Sequence, residues 1–202
     1  AMDAWSTAGN ADGAMPLIVV DRESFDALVS ALGDTARRWC AANAFAGEAG
    51  HFLALPGADG AAIALLAGCN RRDPLFGLAS LPVRLPEGRY ALDPRGLVLD
   101  ADLIALGWAL GAYRFTRYRK PLRAVAQLVV DAATAARVTP MANAIYQVRD
   151  LINTPTEDMG PAELADAVRA LAERHGANYR EWVGDDLVAA NFPTIHAVGR
   201  AS

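Results

Sequence analysis

Pro16-Leu17-Ile18-Val19-Val20-Asp21 decides how the rest of the chain is read. Four consecutive apolar residues, three of them β-branched, stand between a proline and a carboxylate. So short an apolar run, bounded by turn-forming residues, reads as a strand buried in a sheet. The next stretch has a different period. Asp21 can cap a helix, and Phe25, Leu28, Val29 and Leu32 then share one face before Gly33 ends it. Asp34 opens a second helical stretch through Trp39 and Cys40.

The same alternation continues toward the carboxy terminus. His51–Leu55 and Ala61–Ala67 are strand candidates joined by Pro56-Gly57-Ala58-Asp59-Gly60, a run that suits a reversal. Arg89–Leu92 is a further short strand. Asp100 caps a helix over Ala101–Tyr113, in which Gly107 and Gly111 lie four apart and share a face that can admit another backbone. Leu122–Val130 reads as a strand. Thr139 caps a helix with Pro140 in its first turn, and Met141, Ile145, Val148 and Ile152 form its apolar stripe. That helix must stop before Pro155. Pro161 starts another, with Leu164, Val168 and Leu171 on one face and Gly176 at its end. Asn178–Val183 reads as a strand, Asp185–Ala190 as a short helix and Ile195–Val198 as a strand. Strands alternating with helices define an α/β class. Toward the amino terminus, residues 1–15 are a low-complexity lead of small and polar residues, for which disorder is expected.

Composition narrows the function classes. The chain has 202 residues, enough for one domain and part of another, and a net charge of −4 that weighs against a nucleic-acid partner. Its two cysteines, Cys40 and Cys69, are too few for a disulfide scaffold and read as small buried apolar groups in a reducing, cytoplasmic setting. The longest apolar run, Ala61–Ala67, is far below the roughly 20 residues of a membrane span. The opening residues have neither the basic nor the apolar region of a targeting segment, so none is expected.

Three stretches carry a resemblance. Gly107-Trp108-Ala109-Leu110-Gly111-Ala112-Tyr113-Arg114-Phe115 comes first, and Val148-Arg149-Asp150-Leu151-Ile152-Asn153-Thr154-Pro155 with Met159-Gly160-Pro161-Ala162-Glu163-Leu164-Ala165 comes second. Ala197-Val198-Gly199-Arg200-Ala201-Ser202 comes third. In this order they resemble segments of the leucyl aminopeptidases of the cytosol aminopeptidase family. Ala201 stands where that family usually has glycine. The resemblance covers residues 107–202, and residues 16–100 match only in general character.

The resemblance implies an α/β fold in four parts. These are a disordered lead (1–15), a macro-domain-like amino-terminal α/β sandwich (16–133), a linker helix (134–156) and the incomplete start of a catalytic peptidase domain (157–202). It also implies a homo-hexameric metalloenzyme that uses two divalent ions, zinc or manganese, to remove amino-terminal residues from peptides. A stand-alone macro-like nucleotide-binding or regulatory interaction module is the alternative, although no glycine-rich phosphate loop is present.

Two-metal hydrolysis needs clustered oxygen ligands around ions about 3.5–4 Å apart. The family's ligand-bearing Lys-Gly…Phe-Asp-x-Gly-Gly and Asn-Thr-Asp-Ala-Glu-Gly-Arg segments do not occur here. No catalytic, cofactor-binding or metal-ligating residue is therefore assigned. Glu157-Asp158 and Asp185-Asp186 are adjacent pairs, which do not share a helix face, and the second reads as a helix cap. The likeness of Asn153–Asp158 to the missing metal segment reads as chance. His51, His175 and His196 lack zinc spacing. His175 reads as an exposed helix end and His196 as a core histidine. Arg114, Arg117, Arg119, Lys120 and Arg123, interleaved with Phe115 and Tyr118, could meet an anionic partner, but a solvated connector accounts for them more simply.

Overall fold

The computed structural model describes residues 4–7 and 12–200. Six strands form one sheet: β1 (Trp5–Thr7), β2 (Met15–Val20), β3 (Phe52–Pro56), β4 (Ala62–Gly68), β5 (Arg89–Asp93) and β6 (Gln127–Val130). Its order is β1-β6-β5-β2-β4-β3, with every neighbouring pair parallel except β3–β4. The helices are α1 (Phe25–Leu32), α2 (Asp34–Ala42), α3 (Ala101–Ala112), α4 (Ala132–Asn153), α5 (Pro161–His175), α6 (Asp186–Ala189) and α7 (Pro193–Gly199). They group into two units, Ala1–Asp150 and Leu151–Ser202.

The first unit is a layered α/β sandwich, and its central strand explains why. Leu17 and Val19 enter one core with Trp108 of α3 and Val138 of α4, whereas Ile18 and Val20 enter another with Val29 of α1 and Cys40 of α2. A strand covered by helices on both faces needs an uninterrupted apolar run, which 17–20 supplies. β4 divides in the same way: Leu65 and Ala67 face the first core, Ala64 and Leu66 the second. Gly107 and Gly111 do admit a backbone. A Cβ at Gly107 would stand 1.7 Å from the Leu75 carbonyl oxygen, and one at Gly111 1.6 Å from that of Ala79. The irregular segment after β4 is thereby laid directly on α3.

Several elements depart from the sequence expectation. Within the expected disordered lead, Trp5–Thr7 forms a strand paired with β6, and Ala4 is buried. The rest of the lead through residue 11 lies outside the described residues. Pairing supplies the backbone partners that a polar lead lacks on its own. Asp21 does not cap α1 directly. It accepts from the Ser24 amide at 2.8 Å, and Ser24 occupies the cap position.

The helix expected to begin at Pro140 begins at Ala132, where the Asp131 carboxylate takes the Thr134 amide at 2.8 Å. Pro140 is interior to it, and the Thr139 hydroxyl turns back to the Ala135 carbonyl at 2.6 Å. Its buried face is Thr134, Val138 and Ala142, so most of the expected stripe points outward, with Met141 55%, Val148 54% and Ile152 76% exposed. Small side chains let the helix sit close to the core, whereas the larger stripe would hold it away. The first part of the expected linker helix is thus packed into the first unit.

Strand β6 begins only at Gln127, because Leu122 lies in solvent and Arg123 turns inward to loop carbonyls. In the second unit, 178–183 is irregular and Ile195–Val198 lies in helix α7. A strand needs a neighbour for its backbone groups. Within this unit there is none among the described residues, and Pro193 at the first helical position favours the helix instead.

Candidate functional site: the α3–α4 latch and the uncovered surface beyond it

Two of the stretches that carried the resemblance meet in space. The last carbonyls of α3 lack helical partners by geometry, and α4 supplies them. The Tyr146 hydroxyl donates to the Ala109 carbonyl, and Arg149 donates to that of Leu110 at 2.8 Å. The Arg149 guanidinium also lies over the Tyr113 ring, 5.2 Å from its centre. Tyr113 packs edge-on against Tyr146 with ring centres 5.0 Å apart, and its hydroxyl donates to Asp150 at 2.8 Å. Burial pushes the Tyr146 phenol up to about 12, so it remains a donor at any physiological pH. This latch fixes the end of α4 against the first unit. Tyr113, Arg149 and Asp150 lie in the stretches that carry the resemblance, whereas Tyr146 lies outside them. The available signal was the spacing of Tyr146, Arg149 and Asp150 on one helix face.

Beyond Asp150 the chain has another character. α5, α6 and α7 bury no residue. Leu164, Val168 and Leu171 form the expected face of α5 but are 48%, 47% and 37% exposed. Trp182, which meets Phe192 edge-on at 5.8 Å, and Ile195 are exposed as well. What holds this unit locally is polar. Glu163 returns to the Gly160 amide at 3.0 Å, and Arg169 bridges Asp166 at 2.7 Å and Glu181 at 2.8 Å. Apolar side chains left open around a polar frame mark a surface that another part or partner covers.

The ionisable residues singled out in the sequence do not converge. Among the described residues, no three His, Cys, Asp or Glu side chains are placed to hold a metal ion. His51 and His175 are exposed. His196 is only partly buried and its Nε2 lies 3.2 Å from Asp185 Oδ1, so Asp185 meets that ring instead of capping α6 with its side chain. The basic cluster divides. Arg114 donates to the Arg123 carbonyl at 2.5 Å and Arg123 to the Leu85 carbonyl at 2.5 Å, which makes both internal struts. Arg117, Arg119 and Lys120 are exposed, with Arg117 stacked over Tyr118.

Cys40 and Cys69 are buried and free, and burial pushes the Cys69 thiol up to about 11. Neighbouring Asp21 is buried too. Burial alone would raise its carboxyl, but bonds from Ser24 and the charge of Arg71 outweigh this and hold it below the usual range.

Crests of parallel sheets are common ligand sites, because the strands' carboxyl ends open there. Here the chain covers part of that crest itself. A Cβ at Gly68 would stand 1.9 Å from the Glu48 carbonyl oxygen, and one at Gly47 3.0 Å from that of Asp21. The segment around 47–48 therefore lies on the ends of β2 and β4, where a nucleotide would need room.

The class these features define is a layered α/β domain, followed in the chain by a second unit whose helices bury no residue. Comparison with known proteins names it. Residues 15–131 match the family model described as M17 aminopeptidase, N-terminal domain, and the chain belongs to that family. A probable cytosol aminopeptidase of Leifsonia xyli subsp. xyli is 33% identical across 98% of this chain and 44% of its own length. The crystal structure of the cytosol aminopeptidase from Coxiella burnetii superposes with a TM-score of 0.82 at 30% identity, over 91% of this chain and 40% of that one. The bottromycin maturation enzyme BotP in complex with Mn gives a TM-score of 0.65 at 25% identity, over 87% and 39%. The chain thus spans less than half the length of these relatives.

Proposed function

We propose that this chain is the amino-terminal part of a dimetal leucyl aminopeptidase, the start of whose catalytic domain lies in residues 157–202. The observation that carries this reading is the uncovered apolar face of Leu164, Val168 and Leu171 in a unit that buries no helical residue. Relatives more than twice as long leave room for such a cover in the rest of their chains. In the whole protein two divalent ions, zinc or manganese, would supply Lewis-acid chemistry and a water activated for attack. The manganese complex of one relative supports a metal requirement.

On this reading the metal ligands and the hydrolytic step belong to the rest of the whole protein, and none of them is assigned to this chain. Its residues pack against the catalytic half, contribute to hexamer contacts and restrict access to the site. Peptides are the substrates of the whole protein, neither a membrane nor a nucleic acid is its partner, and it works in the cytoplasm. That location rests on relatives named for the cytosol. The alternative of a stand-alone nucleotide-binding module is disfavoured by the backbone packed on Gly47 and Gly68.

The test is direct. This chain alone, supplied with manganese or zinc, releases no leucine from leucylglycine above the buffer rate. Joined to the remainder of the Leifsonia xyli relative, it hydrolyses the dipeptide, and Leu164→Ser with Val168→Ser abolishes that gain. Release at an enzymatic rate by the chain alone overturns the reading.

A further inference from the structure

A small groove opens where β3 begins and α2 ends, with a volume of about 190 Å³. It lies beside the Gly68 end of β4, since the amides of Gly50 and Gly68 bond back and forth between the two segments. The segment packed on Gly47 and Gly68 leaves this flank of the crest open. Its walls include Asn43, Ala44, Phe45, His51, Phe52 and Arg84.

The polar groups in these walls are positioned but not used up. Arg84 stacks on the Phe52 ring at 5.3 Å and donates through one terminal nitrogen to the Gly50 carbonyl. Those two contacts hold the guanidinium still while its remaining edge makes no hydrogen bond among the described residues. A planar guanidinium fixed by its face offers its free edge to a carboxylate, and less ordering entropy is lost on binding. The His51 ring is exposed and likewise makes no hydrogen bond among the described residues. Asn43 donates its amide nitrogen to the Trp39 carbonyl at 2.9 Å.

The nearby acid Glu48 pairs with Arg22 at 3.1 Å, accepts from the Ala46 amide at 3.3 Å and also lies within electrostatic reach of His51. At the lip, Ala44 has φ 50°, in the left-handed region that a residue with a Cβ rarely occupies. Its amide donates to the Ala41 carbonyl and the Phe45 amide to that of Cys40, so these two α2 carbonyls are paired within the chain.

We propose that this groove binds a small organic carboxylate, its charged end on Arg84 and His51 and its carbon body against Phe52. At about 190 Å³ it is smaller than the roughly 300–1,000 Å³ of drug-sized sites, which limits the ligand to a compact acid. The groove is built entirely from residues of the first unit, so it holds or fails independently of the aminopeptidase reading.

The experiment is an amide-resolved NMR titration of this chain with sodium benzoate and, separately, with inorganic phosphate at equal ionic strength. Benzoate shifts the amides of Ala44, His51 and Arg84, and Arg84→Gln weakens it about tenfold, the size of one charge-assisted hydrogen bond. His51→Ala, at an exposed position, weakens it by a smaller factor and serves if Arg84→Gln loosens its loop. Absence of shifts at millimolar benzoate, or shifts that neither variant reduces, overturns the site. Equal response to phosphate and benzoate overturns the assignment to an organic acid.

Discussion

Residues 17–20 and residues 164–171 are both rich in apolar side chains, yet the first are buried and the second are largely open. In the first unit each apolar position faces a partner layer: alternate residues of β2 enter two separate cores. In the second, α5 has a proper cap, an ionic frame and an apolar stripe, but no layer lies against the stripe. Amphipathic pattern therefore marks where a surface wants to be covered, while burial depends on whether the covering element is present.

The largest expected effects come from changes that should matter in only one unit. Trp108→Ala removes a fully buried indole whose nitrogen donates to the Ala126 carbonyl at 3.0 Å, and should cost about 3–5 kcal/mol in a urea melt. Trp182→Ala, at a residue 39% exposed, should cost under about 1 kcal/mol. Equal losses would break the contrast. Gly111→Ala forces a methyl into the Ala79 carbonyl and should destabilise by about 3 kcal/mol or more. Gly199→Ala meets nothing within 4 Å and should be neutral or slightly stabilising.

The latch is next in size. Arg149→Met removes a charged donor to the Leu110 carbonyl and the stacking on Tyr113, and should cost about 1.5–3 kcal/mol. Retention of full stability would mean that the latch is ornamental. The pH dependence is smaller and also sits in the first unit. Because burial raises the folded Cys69 thiol to about 11, above its ordinary value, the native state holds that proton longer than the unfolded chain. Stability from this group is present below about pH 9 and falls between about 9 and 11, by about 1.4 kcal/mol per unit of pH. Cys69→Ala should flatten that part of an alkaline denaturation curve. Smallest of all, Leu171→Ser should change the stability of this chain by no more than about 0.5 kcal/mol, since its side chain is not in a core.

Much of the fold was legible because it is written locally. The buried run of β2, the β3–β4 reversal, the Asp100 cap of α3 and the Gly176 stop of α5 each rest on a few adjacent residues whose chemistry has one dominant outcome. The glycine pair of α3 was legible too, since two missing Cβ atoms on one face mean close approach, although its partner, the Leu75–Ala79 segment, was not. Where two local signals competed, the reading failed. Pro140 looked like a helix start, and the earlier Asp131 cap prevailed because Thr134, Val138 and Ala142 gain a core by continuing the helix through it. The site residues were harder still. Arg114 and Arg123 read as surface charge, whereas their bonds go to backbone carbonyls, in the case of Arg123 to Leu85, 38 positions away.

From the sequence alone came the α/β class, most element positions, the apolar stripe of α5 and the likeness to the aminopeptidases, all of which depend on short-range patterns of residue type. Tertiary structure alone decided that Trp5–Thr7 joins the sheet, that Ile195–Val198 is helical, which face of α4 is buried and that Tyr113, Tyr146, Arg149 and Asp150 form one latch. The physical reason is common to all four. A backbone amide, an apolar stripe or a guanidinium carries its demand for a partner in its own chemistry, but folding selects which partner, among residues far apart along the chain, meets that demand.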